Sequence, residues 1–164
     1  MRIPAAAFGS TLFFALAPGT VAGLIPWWLT GWQAGTWPLA PRLTGLLPLT
    51  AGAAVLLAAF ARFVREGLGT PAPVAPTERL VVGGLYRHVR NPMYVAVVAA
   101  IAGQGLLLAR PVLFAYGLLA WALMWAFARW YEEPALTSRF GEEYDRYRRA
   151  VPGWLPRPTP WTGA

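Results

Sequence analysis

Residues 91–128 read NPMYVAVVAAIAGQGLLLARPVLFAYGLLAWALMWAFA, and this stretch decides the fold. It contains one charged side chain, Arg110, followed directly by Pro111. A helix needs roughly 17–25 mostly apolar residues to cross a bilayer, and the uncharged runs on either side of Arg110 each reach that range. The Arg110-Pro111 pair marks a tight turn, so Asn91–Ala109 and Pro111–Ala128 form a helical hairpin whose open ends lie on one side. Pro92 suits the first turn of a helix, where its missing N–H has no partner to lose. Gly103-Gln104-Gly105 interrupts the first arm; the glycines permit close packing, and Gln104 is suited to a hydrogen bond between helices rather than to a substrate.

Working outward, Ile3–Pro41 and Leu43–Ala61 also lack Asp, Glu, Lys and Arg. The expected fold class is therefore all-α: a polytopic membrane protein, residues 1–164 forming one domain, with spans at about 8–29, 43–63, 92–109 and 111–130. Charged residues make up 13% of the chain, well below the quarter usual in soluble domains. Pro18-Gly19 falls within the first span and is expected to kink it. Residues 1–17 imitate a signal peptide, but the apolar run continues past Pro18, so a retained span is expected. Trp27, Trp28, Trp32 and Trp37 form an aromatic belt at its far end.

The net charge of +7 comes from fourteen Arg and no Lys. With the amino terminus inside, Arg42 and Arg110 alone fall outside, and the other twelve Arg lie inside. That asymmetry follows the positive-inside rule and places both termini on the cytoplasmic face of the inner membrane. Basic charge distributed this way points to the lipid bilayer as the partner and not to nucleic acid.

Several chemistries are excluded. There is no Cys for thiolate or disulfide chemistry, no Lys for a Schiff base, and a single His, His88, which rules out a histidine metal cluster. No metal site is expected. Neither Ser10 nor Ser138 lies in a nucleophile-elbow sequence. His88 in a basic loop reads as a surface residue, since nothing nearby in sequence orients it. A polar site must be built from Arg, Glu, Tyr, Asn and backbone.

Two polar strings at the open end of the hairpin supply those residues. The first is Gly84-Leu85-Tyr86-Arg87-His88-Val89-Arg90-Asn91-Pro92-Met93-Tyr94, and the second is Trp130-Tyr131-Glu132-Glu133-Pro134. Glu132 and Glu133 are expected to close span four, where the helix dipole disfavours negative charge, so they need Arg partners or a cationic ligand. Interface pairing with Arg87, Arg90 or Arg129 satisfies that need without any ligand. Arg87 and Arg90 can also hold a carboxylate, Asn91 offers both donor and acceptor, and Tyr86 and Tyr94 offer rings and hydroxyls. With two carboxylates, the set suits a zwitterionic, ribose-bearing cation such as S-adenosyl-L-methionine. The preceding run 67–76, rich in Gly and Pro, reads as a loop. After the Glu pair, Leu136, Phe140, Tyr144 and Tyr147 mark one face of an amphipathic helix, lying on the inner leaflet, closing over a ligand, or both.

Gly84-Leu85-Tyr86 with Arg90-Asn91-Pro92-Met93-Tyr94 resembles the signature of the isoprenylcysteine carboxyl methyltransferase and phospholipid N-methyltransferase superfamily. Glu132-Glu133 with Leu136, Phe140-Gly141-Glu142-Glu143-Tyr144, Tyr147 and Val151-Pro152 extends the resemblance, which covers about Pro71 to Pro156. It implies an integral membrane methyltransferase using S-adenosyl-L-methionine on a lipophilic small-molecule or lipidated acceptor, with a cytosolic cofactor site drawn from 71–94 and 129–156. Carried across, the cofactor contacts fall on Glu78, Arg79, Leu80, Val81, Tyr86, Asn91, Pro92, Met93, Tyr94 and Glu132, joined by Arg90; Arg129 and Glu133 are the candidate acceptor contacts. Asn91 matches the phospholipid branch, whereas the long tail resembles the carboxyl methyltransferases, so the motifs do not select the acceptor. Sterol reductases using NADPH look similar around Arg90-x-Pro92-x-Tyr94, and a non-enzymatic membrane scaffold also fits the topology.

The topology makes a direct prediction. A reporter fused after Gly35 should read as external, and one after Pro73 or Ala164 as cytoplasmic. A cytoplasmic signal at Gly35 would mean that the first apolar run does not cross.

Overall fold

In the computed structural model, which describes residues 16–67 and 79–163, Pro92 begins the helix around which the others pack. The elements are α1 (Ile25–Thr30), continuing a π-helical turn at Thr20–Leu24, then α2 (Leu39–Leu43), α3 (Leu46–Gly67) and α4 (Pro92–Leu107). There follow α5 (Val112–Phe127), a π-helical turn at Ala128–Glu132, α6 (Glu133–Phe140) and α7 (Glu142–Ala150). Among the described residues there is no strand. Two helical stretches, Leu39–Arg62 and Val112–Phe140, are long and apolar enough to cross a membrane. The apolar helix α4 is shorter, at 16 residues, and positions 8–15 of the expected first span lie outside the described residues.

Helix α4 lies between α3 and α5. Against α3 the contact is backbone to backbone: a Cβ on Gly103 would sit 2.6 Å from the Leu49 nitrogen, and one on Gly52 would sit 2.7 Å from the Ala96 oxygen. Gly45, just before α3, and Gly52 and Ala59 on it, seven residues apart and all buried, form the matching stripe. On the other face, Gly105 meets Leu113 and Phe114 while Gly117 meets Ile101, so α4 and α5 run antiparallel as the hairpin requires. Ile101 and Leu113 are fully buried at the centre. Outward, α5 exposes Leu118, Leu119, Leu123 and Trp125, an apolar surface of the kind that faces lipid or a partner.

Gln104 has a defined role between helices. Pro26 has no N–H for the Ala22 carbonyl four residues before it, and the π-turn sends the Ile25 N–H to Thr20 in place of Val21. Two adjacent carbonyls of the first helical segment are thereby released. Gln104 Nε2 donates to the Ala22 oxygen at 2.6 Å, and the Tyr116 hydroxyl donates to the Val21 oxygen at 2.7 Å. Burying such carbonyls unpaired would cost about 1–3 kcal/mol each.

At this end of the hairpin the carbonyls that α4 leaves open are also capped. Arg42 Nε donates to the Leu107 oxygen and the Gly35 N–H to the Leu108 oxygen, while Arg110 Nε donates to the Gln33 oxygen. The two Arg set apart by the charge count are thus loop-binding side chains.

The structure corrects two expectations. Glu132 and Glu133 do not close a helix: the π-turn carries the chain through them into α6, with Pro134 accommodated in the first turn of α6. The amphipathic tail is also not one helix. Gly141, at φ 52°, ends α6 and starts α7, a conformation that disfavours other residues. Leu136, Phe140, Tyr144 and Tyr147 still share one cluster, but it faces inward onto Leu80, Val82 and Trp161, with Tyr144 and Tyr147 buried.

Stability should follow the backbone contact. Gly103→Ala is expected to lower stability by about 1–3 kcal/mol, read as thermal unfolding in detergent. Gly23→Ala, whose new methyl would meet nothing within 4 Å, should be neutral or slightly stabilising. Equal losses in both would show that α3 and α4 are not in direct contact.

Candidate active site

An irregular segment, Arg79–Gly83, leads into the first polar string, which turns at Gly84–Arg87 as a short 3-10 helix and enters α4 at Pro92. Side chains at 80–82 alternate between two packing partners. Val81 packs with Tyr86 and Ala59 on the α3 side, whereas Leu80 and Val82 join the Tyr144–Tyr147–Val151 cluster on the tail side. Met93 packs into the core and Pro92 is fully buried. Leu80, Val81, Pro92 and Met93 therefore place their side chains in apolar surroundings. Arg79 is exposed, and Glu78 lies outside the described residues.

The carboxy-terminal residues hold this string in place. The Arg90 N–H donates to the Pro152 oxygen at 2.8 Å and the Asn91 N–H to the Gly153 oxygen at 3.2 Å. Asn91 Nδ2 donates to the same Gly153 oxygen at 3.1 Å, so this side chain binds the tail instead of capping α4. The Arg157 N–H bonds the His88 oxygen, and His88 Nδ1 lies 2.8 Å from the Arg157 oxygen. Arg87 and Trp161 are joined twice, through the Trp161 N–H and Arg87 Nε. Tyr147 donates its hydroxyl to the Tyr86 oxygen at 2.6 Å. His88 is thus a loop-binding residue, with no acidic partner among the described residues.

The adjacent carboxylates divide sharply. Glu133 Oε1 accepts from Arg90 Nη1 at 2.7 Å, and its Oε2 pairs with Arg129 at 3.2 Å and Arg148 at 3.1 Å. This is the interface pairing anticipated for the Glu pair. Glu132 is different: its Oε1 accepts from the Tyr94 hydroxyl at 2.7 Å, and among the described residues no Arg pairs with it. Tyr94 stacks on Trp154, 6.1 Å between ring centroids, and Trp154 meets the edge of Trp121. Trp154 was not anticipated from the sequence, where it stands in a Pro- and Gly-rich tail with no periodicity.

Arg90 is the electrostatic centre. Burial works against its charge, but the Glu133 hydrogen bond and the attraction of Tyr144 and Glu133 hold its pKa above the ordinary guanidinium value. Its Nε donates to the Val151 oxygen at 2.9 Å and its Nη1 also reaches the Tyr144 hydroxyl at 3.2 Å. Burial raises the pKa values of Tyr144 and Tyr147, so both remain neutral donors or acceptors at ordinary pH. Among the described residues no group of three His, Cys, Asp or Glu is arranged to hold a metal ion.

The site therefore contains one carboxylate saturated by guanidinium groups and, beside it, one held among the described residues only by a phenol. The sequence model of the phospholipid methyltransferase family matches residues 42–143. The chain belongs to that family. It is also similar to the Protein-S-isoprenylcysteine O-methyltransferase of Schizosaccharomyces pombe, with 36% identity over 80 residues. That similarity covers 47% of this chain and 33% of the relative, so the chain matches about a third of the relative's length. The family match takes in Arg90, Tyr94, Glu132 and Glu133 and ends before Tyr144, Tyr147 and Trp154, which complete the site from the tail.

Replacing Arg90 tests this architecture. Arg90→Leu leaves Glu133 to Arg129 and Arg148 and removes the side-chain bonds to Tyr144 and Val151 that hold the tail; losing a hydrogen bond to a charged group costs about 1.5–3 kcal/mol. Limited trypsin digestion should then cleave after Arg146, Arg148 or Arg149 much faster than in the unmodified protein. Unchanged cleavage would show that Arg90 does not hold the tail.

Proposed function

We propose that the chain is an integral membrane methyltransferase that uses S-adenosyl-L-methionine to methylate a lipophilic acceptor dissolved in the bilayer. The observation that carries the reading is Glu132, a half-buried carboxylate with a phenol as its hydrogen-bond partner and no guanidinium among the described residues, in a member of a methyltransferase family. Such a carboxylate is suited to accept from a ribose hydroxyl or an ammonium. Four spans with both termini in the cytosol place this end of the hairpin on the cytosolic face, where a water-soluble cofactor is supplied.

The residues fit the cofactor chemically. Glu132 accepts from its polar donors, and Tyr94 and Trp154 offer aromatic faces; Leu80, Val81, Tyr86, Pro92 and Met93 have apolar side-chain surroundings, so any contact from them to the cofactor would be through backbone. Arg90 commits Nε to the Val151 carbonyl and Nη1 to Glu133 and Tyr144, so among the described residues its Nη2 donors are the ones left for a cofactor carboxylate. When bound, the cofactor supplies an electrophilic methyl group on a sulfonium. The protein's part is alignment of the acceptor and exclusion of water, which can supply most of the rate for a good nucleophile.

The acceptor's approach has a structural counterpart. A groove of about 320 Å³ between α4 and α5 is lined by Val98, Ala102, Leu113, Phe114, Gly117, Leu118 and Trp121. Its end at Trp121 meets Trp154, which stacks on Tyr94. A hydrocarbon body lying in this groove would bring its polar end toward Glu132. Arg129 and Glu133 remain acceptor contacts in this reading only at the margin of the site, since Glu133 is already occupied by three Arg.

Calorimetric titration of the purified protein with S-adenosylhomocysteine and with NADPH, side by side, tests the class; preferential NADPH binding overturns it. Within that experiment, Glu132→Gln removes the charge and keeps the shape. Losing a charge-assisted hydrogen bond costs about 1.5–3 kcal/mol, so S-adenosylhomocysteine affinity should fall roughly 10- to 150-fold. Glu133→Gln should affect it far less. Unchanged affinity in Glu132→Gln would remove Glu132 from the site.

A further inference from the structure

The ion-pair cluster around Glu133 is unbalanced. Arg90, Arg129 and Arg148 converge on one carboxylate, and the neighbouring carboxylate, Glu132, is turned away to Tyr94. Arg90 is enclosed, with a side-chain exposure of 15%, and is bonded to Tyr144 and Val151 as well. Arg129 and Arg148 are open, at 52% and 36%, and both point at the single oxygen Oε2 of Glu133. Among the described residues no other carboxylate pairs with either of them. Two guanidinium groups from different helical segments are thus held side by side with donors to spare and their mutual repulsion only half offset. That arrangement favours an anion between them, and the planar fork of Arg matches phosphate oxygens.

The surrounding aromatics fix the depth. Trp130 and Tyr131, next to Arg129, are 73% and 53% exposed. Trp130 packs edge-on against Trp125, and Tyr131 stacks on Phe127. Exposed Trp and Tyr at the end of a long apolar helix settle at the headgroup level of a bilayer, where lipid phosphates lie. A lipid with a cationic headgroup would bring its ammonium up against excess positive charge; an anionic lipid would not.

We propose that Arg129 and Arg148, oriented by Glu133, hold the phosphate of an anionic phospholipid at the level marked by Trp130 and Tyr131. The site anchors the tail helix α7 to the membrane surface through Arg148. The inference rests on the membrane placement proposed above and not on methyl transfer. Phosphatidylglycerol, the probe chosen here, offers no carboxylate, amine, thiol or phenol to methylate.

The test is native mass spectrometry of the full chain in detergent with equal amounts of phosphatidylglycerol and phosphatidylcholine of matched acyl chains. The unmodified protein should retain phosphatidylglycerol roughly 10-fold or more in preference, from two juxtamembrane cations. Arg129→Gln with Arg148→Gln should abolish the preference, whereas Arg139→Gln with Arg149→Gln, which removes the same charge, should keep it. No preference in the unmodified protein, or equal loss in both double variants, overturns the site. If inorganic phosphate displaces phosphatidylglycerol at equal concentration, the site serves a soluble phosphate and the lipid assignment fails. Parallel titration with S-adenosylhomocysteine keeps this result separate from the methyltransferase reading, and the unmodified protein alone decides the case if a variant does not fold.

Discussion

The guanidinium of Arg90 joins parts of the chain that are far apart in sequence: Glu133 at the start of α6, Tyr144 in α7 and the Val151 carbonyl beyond it. It stands directly before Asn91 and Pro92, so it also sets where α4 begins. A guanidinium does not deprotonate under any ordinary condition, so this junction keeps its charge throughout the working pH range. Around it the first polar string, the Glu pair and the tail become one structure. Without it Tyr94 and Glu132 would still lie near each other through the hairpin, and only the bonds from Asn91 and the Arg90 N–H to Gly153 and Pro152 would keep Trp154 beside Tyr94.

The same need to satisfy polar groups governs the opposite end. There a proline and a π-turn release two carbonyls, and Gln104 and Tyr116 take them up. The carbonyls at the end of α4 draw in Arg42 and the Gly35 N–H. Polar side chains inside and at the rim of this apolar bundle are engaged with backbone. Glu132 stands out because half of its carboxylate is not committed among the described residues.

Much of this was legible in the sequence. The charge-free runs gave helices, Arg110-Pro111 gave the turn, and Asn91-Pro92 gave the start of α4. The proximity of the two polar strings followed from the hairpin alone, and Gln104 between two glycines signalled a helix contact. The stripe of Gly45, Gly52 and Ala59 was present but hidden, because small residues are common throughout this chain. Continuation of the helix through Glu132-Glu133 was missed because a π-turn has no sequence signature of its own. The break at Gly141 had a local signal, a glycine followed by the acidic first turn Glu142-Glu143, which the aromatic periodicity outweighed. The wrapping of residues 151–161 around 87–91 was missed because every bond in it accepts or donates at tail backbone, which leaves no pattern in the tail's side-chain identity.

The π-turn at Ala128–Glu132 makes the division of labour between two identical side chains a matter of counting. A π-turn accommodates one more residue than the α-helical turn it replaces. Loss of one residue between Phe127 and Tyr131 would therefore let the helix close to α geometry with both carboxylates nearly in place, whereas closing it at unchanged length would rotate them by about 100° relative to α5. The carboxylate facing Tyr94 and the one facing the guanidinium groups would change without alteration of any side chain in the site. In this architecture the hydrogen-bond pattern of one backbone turn, as much as residue identity, decides which acid is available to a ligand.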